Sequence, residues 1–208
     1  MSTTDAVTFW NEVYAARPAA TDPRPNDLLA ETVTGLPSGD VLDLGCGDGG
    51  DALWLARRGW HVTAVDISSV AVERLTRLAR SAGLSGLVSA ARHDLDESFP
   101  PGEFDLICAH YLHTSFGLDR ALVLRAAAHA LRPEGLLLVV NHGSTMPWSW
   151  NQDPDAWFPT PRQVAAGIDL DPATWSVERA DAPRRMATGP DGRRAEVTDH
   201  VLVIRRTA

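Results

Sequence analysis

"VLDLGCGDGG", residues 41–50, decides how this chain folds. An apolar run, Val41, Leu42 and Leu44, carries one carboxylate, Asp43, and runs straight into Gly45, Gly47, Gly49 and Gly50. Glycine is costly to order and is used where backbone bends sharply or must approach something closely. The stretch therefore reads as a buried strand, a tight turn and the start of a helix, the unit that receives nucleotide-like ligands.

Outward from this stretch, strand-like and helix-like segments alternate. "DALWLARRG" (51–59) is a short helix ended by glycine, and "WHVTAVDIS" (60–68) is a β-branched second strand. Residues 69–84 put Val72, Leu75 and Leu78 on one face of an amphipathic helix. Strands follow at 87–94 and 104–112. The segment 118–135 reads as a helix closed by Pro133 and Gly135, and 136–143 as a central fifth strand. Helices between strands mean crossover connections, hence an α/β fold with a doubly wound, Rossmann-like, mostly parallel sheet. The tail differs. Segments 173–183 and 194–208, joined by the turn-forming "TGPDGR", read as an antiparallel C-terminal hairpin.

The expected organisation is a single domain over 1–208. It comprises an N-terminal helical cover (1–35) with a Pro-rich joint, a cofactor-binding core (40–143), an aromatic-rich lid or substrate loop (144–172) and the hairpin (173–208). Trp148, Trp150, Trp157 and Trp175 are expected to crowd one region, and 144–160 is too long for an ordinary connection.

Composition narrows the partners. The net charge of −8 disfavours generic binding to nucleic acid or to an anionic membrane. All 19 basic residues are arginine, which excludes a lysine nucleophile or Schiff base. Cys46 and Cys108 have neither CxxC spacing nor a histidine pattern, so no disulfide or metal site is indicated. No stretch approaches a membrane span, and the first residues lack the basic start and apolar core of a secretory signal. A cytoplasmic protein is expected.

The glycine turn satisfies two fingerprints. Gly45, Gly47 and Gly50 fit GxGxxG; Asp43, Gly45, Gly47 and Gly49 fit DxGxGxG. A dinucleotide needs a bare, electropositive helix N-terminus for its pyrophosphate. Here Asp43, Asp48 and Asp51 surround that point, a poor setting for a dianion and a good one for a cationic ligand without phosphate. S-adenosylmethionine, with a sulfonium, an ammonium and a neutral adenosine, is such a ligand. Asp66, 21 residues beyond Gly45, is spaced to accept from the ribose hydroxyls, with Ile67 offering one face to adenine. Asp94, with Leu95 beside it, follows the third strand as an acceptor for the adenine amino group. Gly45 and Gly47 shape the loop, and Cys46 fills it as a small buried residue.

With these residues in view, the chain from about 9 to 206 resembles a class I S-adenosylmethionine-dependent methyltransferase, nearest the small tellurite-resistance-type and thiopurine-type bacterial branch. The resemblance rests on "VLDLGCGDGGDALWLARRGWHVTAVDIS", "HDLDE", "FDLICAHYLH", "ALRPEGLLLVVNH" and "DGRRAEVTDHVLVIRR". It implies a seven-stranded sheet with its last pair reversed, one S-adenosyl-L-methionine and transfer of a methyl group. "AHYLH" replaces the NPPY-type tetrad of nucleic-acid amino methylation, so that substrate is not supported. The resemblance also implies an N-terminal segment closing over the methionine end, with Trp10 and Tyr14 facing the cofactor or acceptor and Arg24, held extended between Pro23 and Pro25, near the carboxylate. Phe9, Val13 and Ala16 supply a packing stripe for the same segment.

His110, His113 and His142 lie at the carboxyl ends of the fourth and fifth strands and are candidate general bases; His110 is also a candidate cofactor contact. The expected reaction is in-line transfer to a small-molecule methyl acceptor through S, O, N or a chalcogen oxyanion, by a monomer or homodimer. Arg24, Arg184 or Arg185 could steer an anionic acceptor. Two alternatives stand beside it: a non-catalytic S-adenosylmethionine-binding partner subunit, and a small NAD(P)-dependent oxidoreductase.

Overall fold

Three strands of the computed structural model are buried on both faces: β1 (Asp40–Leu44), β4 (Phe104–His110) and β5 (Leu131–His142). The structure describes residues 3–112, 116–149, 152–153, 155–189 and 191–208. Val41, Leu42, Leu44, Leu106, Ile107, Leu137 and Leu138 are inaccessible to solvent, as the centre of a parallel sheet covered by helices requires. β2 (His61–Asp66) and β3 (Val88–Arg92) extend the sheet on one side. β6 (Trp175–Asp181), β7 (Arg184–Thr188) and β8 (Arg194–Arg206) complete it on the other. The order is β3-β2-β1-β4-β5-β8-β6. The first five strands pair in parallel, and β8 runs antiparallel between β5 and β6.

The expected Rossmann-like, mostly parallel sheet with an antiparallel tail is therefore present. Its main path has seven strands, and an eighth, β7, pairs only with the start of β8. The tail is thus more than one hairpin: the chain turns at Ala182 and Pro183, leaves β6 and continues as a two-stranded ribbon.

Strand alternation sorts the core into two layers. Val41, Val62, Leu106, Leu138 and Val203 face α2 (Asp27–Val33), α3 (Gly50–Ala56) and α4 (Ser69–Ser81). Leu42, Ile107, Leu137, Val139 and Leu202 face α5 (Arg120–His129) and α6 (Pro161–Ile168). Truncating one such leucine to alanine costs about 2–5 kcal/mol. Asp43 and His110 share the parity of the first layer, which places both over α3.

Two sequence expectations need correction. The helix read as 118–135 ends at His129, because Leu131 pairs with Phe104 and "RPEG" turns, Glu134 adopting a left-handed φ of 66°. The segment read as a lid or substrate loop, 144–172, contains α6, opened by a reciprocal cap between Thr160 and Gln163 with Pro161 in its first turn. At the N-terminus, α1 (Thr3–Ala16) precedes α2 as expected, but its packing stripe is not the one anticipated. Phe9 is 41% exposed and Ala16 exposed, while Ala6 is buried. α1 is instead held by polar ties described below.

Candidate cofactor and active site

β1 ends at Leu44, and the amides of Gly45 and Cys46 both donate to the Val65 carbonyl (2.8 and 3.0 Å), folding the glycine loop back onto the end of β2. The Gly47 amide donates to Asp66 Oδ2 at 3.0 Å, and Ser68 N donates to Asp66 Oδ1 at 2.9 Å. Asp66 is thus a buried carboxylate that already organises the loop, with each oxygen keeping acceptor capacity. Burial raises its pKa, and the amides of Ser68 and Gly47 oppose the shift. Gly47 has φ of 52°, and a Cβ there would meet the Tyr14 hydroxyl at 3.0 Å, so the position requires glycine on both counts.

The N-terminal segment lies on this loop. A Cβ on Gly50 would stand 2.1 Å from the Arg24 carbonyl oxygen, so only glycine admits that backbone. Asn11 Oδ1 accepts from Ser68 Oγ at 2.8 Å. Arg74 reaches Asp48 (3.2 Å) and the Arg17 carbonyl (2.7 Å). Burial, then Asp66, Cys46 and Asp48, push the Tyr14 hydroxyl's pKa up. Trp10 tilts against Tyr14, ring centres 6.3 Å apart.

Over α3, Asp51 joins three segments. Its Oδ1 accepts from the Asn26 amide at 2.6 Å and its Oδ2 contacts His110 Nδ1 at 2.7 Å. An ionised carboxylate only accepts, so the proton of a neutral His110 resides on Nδ1 and its lone pair on Nε2. Among the described residues, His110 Nε2 is buried without a partner, as are Asp43 Oδ2 and Asp94 Oδ2. Asp43 is 2% exposed; burial, Asp51 and Asp66 push its carboxyl pKa well up. Asp94 Oδ1 is occupied by the Asp96 amide at 3.0 Å.

A cavity of about 450 Å³ opens here, lined by Arg24, Asn26, Gly45, Cys46, Asp48, Asp51, His110, Tyr111 and Arg185 among others. The strand order lays Asp94, Asp66, the glycine loop and His110 in one row along the carboxyl edge. At about 4.8 Å per strand, that row is about 14 Å long.

Residues 41–135 match the family model described as a methyltransferase domain. Over that stretch the chain is similar to methyltransferase domains, and it shares its fold with solved S-adenosylmethionine-dependent methyltransferases. It is 37% identical over 145 residues to a ubiquinone biosynthesis O-methyltransferase of Xylella fastidiosa (strain M23), covering 66% of this chain and 56% of that protein. It is 30% identical over 122 residues to ribosomal RNA small subunit methyltransferase C of Alcanivorax borkumensis, covering 55% and 36%. The chain thus spans about half or less of the length of these curated relatives.

Among solved structures, one concerns the conversion of a disulfide bond into a thioacetal group during echinomycin biosynthesis. It superposes with a TM-score of 0.71 at 23% identity, covering 96% of this chain and 91% of that one. TehB from Haemophilus influenzae gives 0.61 at 16% (87% and 62% covered). The [4+2]-cyclase SpnF gives 0.64 at 19% (99% and 97%). At these identities the likeness is one of fold.

The residues singled out from sequence fall into groups. Arg24, Gly45, Cys46 and His110 line the cavity. Asp43, Gly47, Asp66 and Tyr14 stand around the glycine loop, and Asp94 lies at the far end of the row. Ile67 is half-buried beside Asp66, and Leu95 packs on the layer of α5 and α6. His142 stacks on Tyr111 with ring centres 4.3 Å apart. His113 and Trp150 lie outside the described residues. The other tryptophans do not gather: Trp148 packs against Gly189, Trp157 is 73% exposed, and Trp175 begins β6 against His129. Trp175 pairs with Arg206, at the sheet end opposite His142, which pairs with Asp199.

One cluster was missed. Tyr111 follows His110 at a left-handed φ of 51°, and its hydroxyl donates to Asp199 at 3.0 Å. Arg185 Nε donates to Asp199 Oδ2 at 2.5 Å, and its Nη2 donates to the Tyr111 hydroxyl at 3.2 Å. Burial, then Asp199, push the Tyr111 hydroxyl up to about 12. The available signal was Asp199 itself, a carboxylate heading the apolar run "HVLVI".

Proposed function

We propose that the protein transfers the methyl group of S-adenosylmethionine to a nucleophilic atom of a small molecule, at the carboxyl edge over β1 and β4. The observation that carries this reading is the row of groups along that edge: two buried acceptors, a glycine loop, then an acid–histidine pair beside a cavity. Its chemistry fits the cofactor. Asp94 Oδ2 is a buried acceptor without a partner, and adenine offers an amino group. Asp66 can take ribose hydroxyls on the faces its two amides leave open. Asp43 and Asp51 suit an ammonium and would repel a pyrophosphate, which counts against a dinucleotide. Arg24, exposed at the cavity wall, suits a carboxylate.

When bound, S-adenosylmethionine supplies a methyl carbon made electrophilic by its sulfonium. The chain's own part is alignment, exclusion of water and proton removal. The segment from Tyr14 to Asn26 roofs the glycine loop. For a hydroxyl or ammonium acceptor, His110 Nε2 takes the proton while Asp51 holds Nδ1–H in place. Tyr111 and Arg185 wall the side away from Asp66. The charge of −8 supports a small acceptor over a nucleic acid, because phosphate neutralisation by a basic surface dominates binding to the latter.

Calorimetry with S-adenosylhomocysteine and with NAD tests the reading. The first should bind and raise the melting temperature, since a ligand of the native state adds RT ln(1 + [L]/Kd). NAD should do neither. Binding of NAD without binding of S-adenosylhomocysteine would overturn the proposal.

A further inference from the structure

Arg120 is a half-buried arginine with no carboxylate partner among the described residues. Its Nη2 donates to Asn141 Oδ1 at 2.7 Å, and its Nε is closed off from solvent with no partner among the described residues. Arg74 and Arg185, by contrast, meet carboxylates, Asp48 and Asp199. No carboxylate stands within ion-pair reach of Arg120 among the described residues, and the residues outside those ranges include no Asp or Glu. Its neighbour Asp119 is engaged in accepting from Leu122 N at 3.1 Å, as the cap of α5. Burial accordingly pushes the Arg120 pKa down, with no neighbouring charge to offset it.

The position compounds the problem. Arg120 is the first residue of α5, where unpaired amides already make the helix end electropositive. A cation there is disfavoured twice, and an anion would be favoured twice. Tying α5 to the buried Asn141 needs only a neutral donor such as glutamine, so the packing role leaves the charge unexplained. Asn141 is one residue short of the carboxyl end of β5, the edge along which the cofactor row and cavity lie.

We propose that Arg120 and Asn141 form an oxyanion subsite, and that the methyl acceptor carries a carboxylate or phosphate group that seats on the Arg120 guanidinium. This rests on the methyltransferase reading above and narrows its substrate class. A guanidinium is suited to planar carboxylates and to phosphates, and pairing it with an anion supplies the counter-charge it lacks.

The test uses the full chain saturated with S-adenosylhomocysteine. Benzoate, inorganic phosphate and the neutral benzamide are titrated at constant ionic strength against chloride, in wild type and in Arg120→Gln. At least one oxyanion should raise the melting temperature above the chloride reference while benzamide does not. The benzoate and phosphate arms identify which anion is seated. In Arg120→Gln the affinity for that oxyanion should fall about tenfold or more, with S-adenosylhomocysteine affinity unchanged. No oxyanion response in wild type, or an undiminished response in Arg120→Gln, would overturn the subsite. Failure of S-adenosylhomocysteine to bind wild type would count against the methyltransferase reading instead, and the anion titration of the free protein would still read the subsite.

Discussion

Replacing Asp66 with alanine separates what this carboxylate does for the loop from what it does for a ligand. In the free protein it accepts from Gly47 N and Ser68 N. Leaving a buried donor unpaired costs about 1–3 kcal/mol, but a shortened side chain admits water, and a carboxylate whose pKa burial had raised is removed. The net loss of stability should be about 1–3 kcal/mol, within reach of a domain that still unfolds cooperatively. For a ligand, two hydroxyl bonds to a charged acceptor are lost at about 1.5–3 kcal/mol each, and a loosened Gly47 cannot restore them. S-adenosylhomocysteine affinity should therefore fall roughly 10²- to 10⁴-fold. Adenosine should lose a comparable factor, because the ribose is common to both. Calorimetry gives the affinities and urea unfolding the stability. An S-adenosylhomocysteine Kd within threefold of wild type, in a cooperatively folding Asp66→Ala protein, would refute the assignment.

Asp43 predicts a pH dependence. Burial, Asp51 and Asp66 raise its pKa in the folded state, so the folded protein holds this proton more tightly than the unfolded chain. Its contribution to stability is then full below the unfolded value of about 4 and is lost as pH rises towards the folded pKa. An ammonium ligand reverses that preference, so S-adenosylhomocysteine should tighten with rising pH and release protons, measured by calorimetry in buffers of different ionisation enthalpy; uptake of protons would contradict it. His110→Ala and Asp51→Asn should each slow transfer to a hydroxyl or amine acceptor by about 10²–10⁴-fold, with the double variant no slower than His110→Ala. Fully additive losses in single-turnover assays would show that the two do not act as a unit. Arg24→Ala should weaken S-adenosylmethionine more than 5′-methylthioadenosine, which lacks the carboxylate; equal losses in calorimetry would return the segment to a packing role.

The parallel half of the molecule was legible because its physics is local. A strand buried on both faces is a near-continuous apolar run, and 41–44, 104–109 and 136–140 are such runs, broken only by Asp43 and Asp105. Asp43 stood out as a carboxylate inside one of them, and Asp66 and Asp94 as carboxylates at or just past the ends of the next two strands. The cap "TPRQ" at 160–163 could have revealed α6, but the tryptophans around it drew the reading towards a loop. What sequence could not disclose were meetings between distant segments. Asp51 with His110 spans 59 positions and Tyr111 with Asp199 spans 88, and no periodicity encodes either. The charge state of Arg120 is of the same kind: its loneliness is visible only once every carboxylate has a place.

β7 and the beginning of β8 pair with each other alone, beyond the sheet. A ribbon of two strands is marginal in water, so it should exchange its amide hydrogens before the parallel core does. It also carries Arg185, which reaches Asp199 at the ribbon's base, whereas Asp66, the glycine loop and His110 belong to the stretch that the family model matches. The two walls of the cavity therefore answer to different parts of the chain. β7 can change at Arg185, and reshape one wall, without disturbing a hydrogen bond among Asp66, the glycine loop and His110. A lineage holding this scaffold could change what it acts on by editing a few residues near its C-terminus.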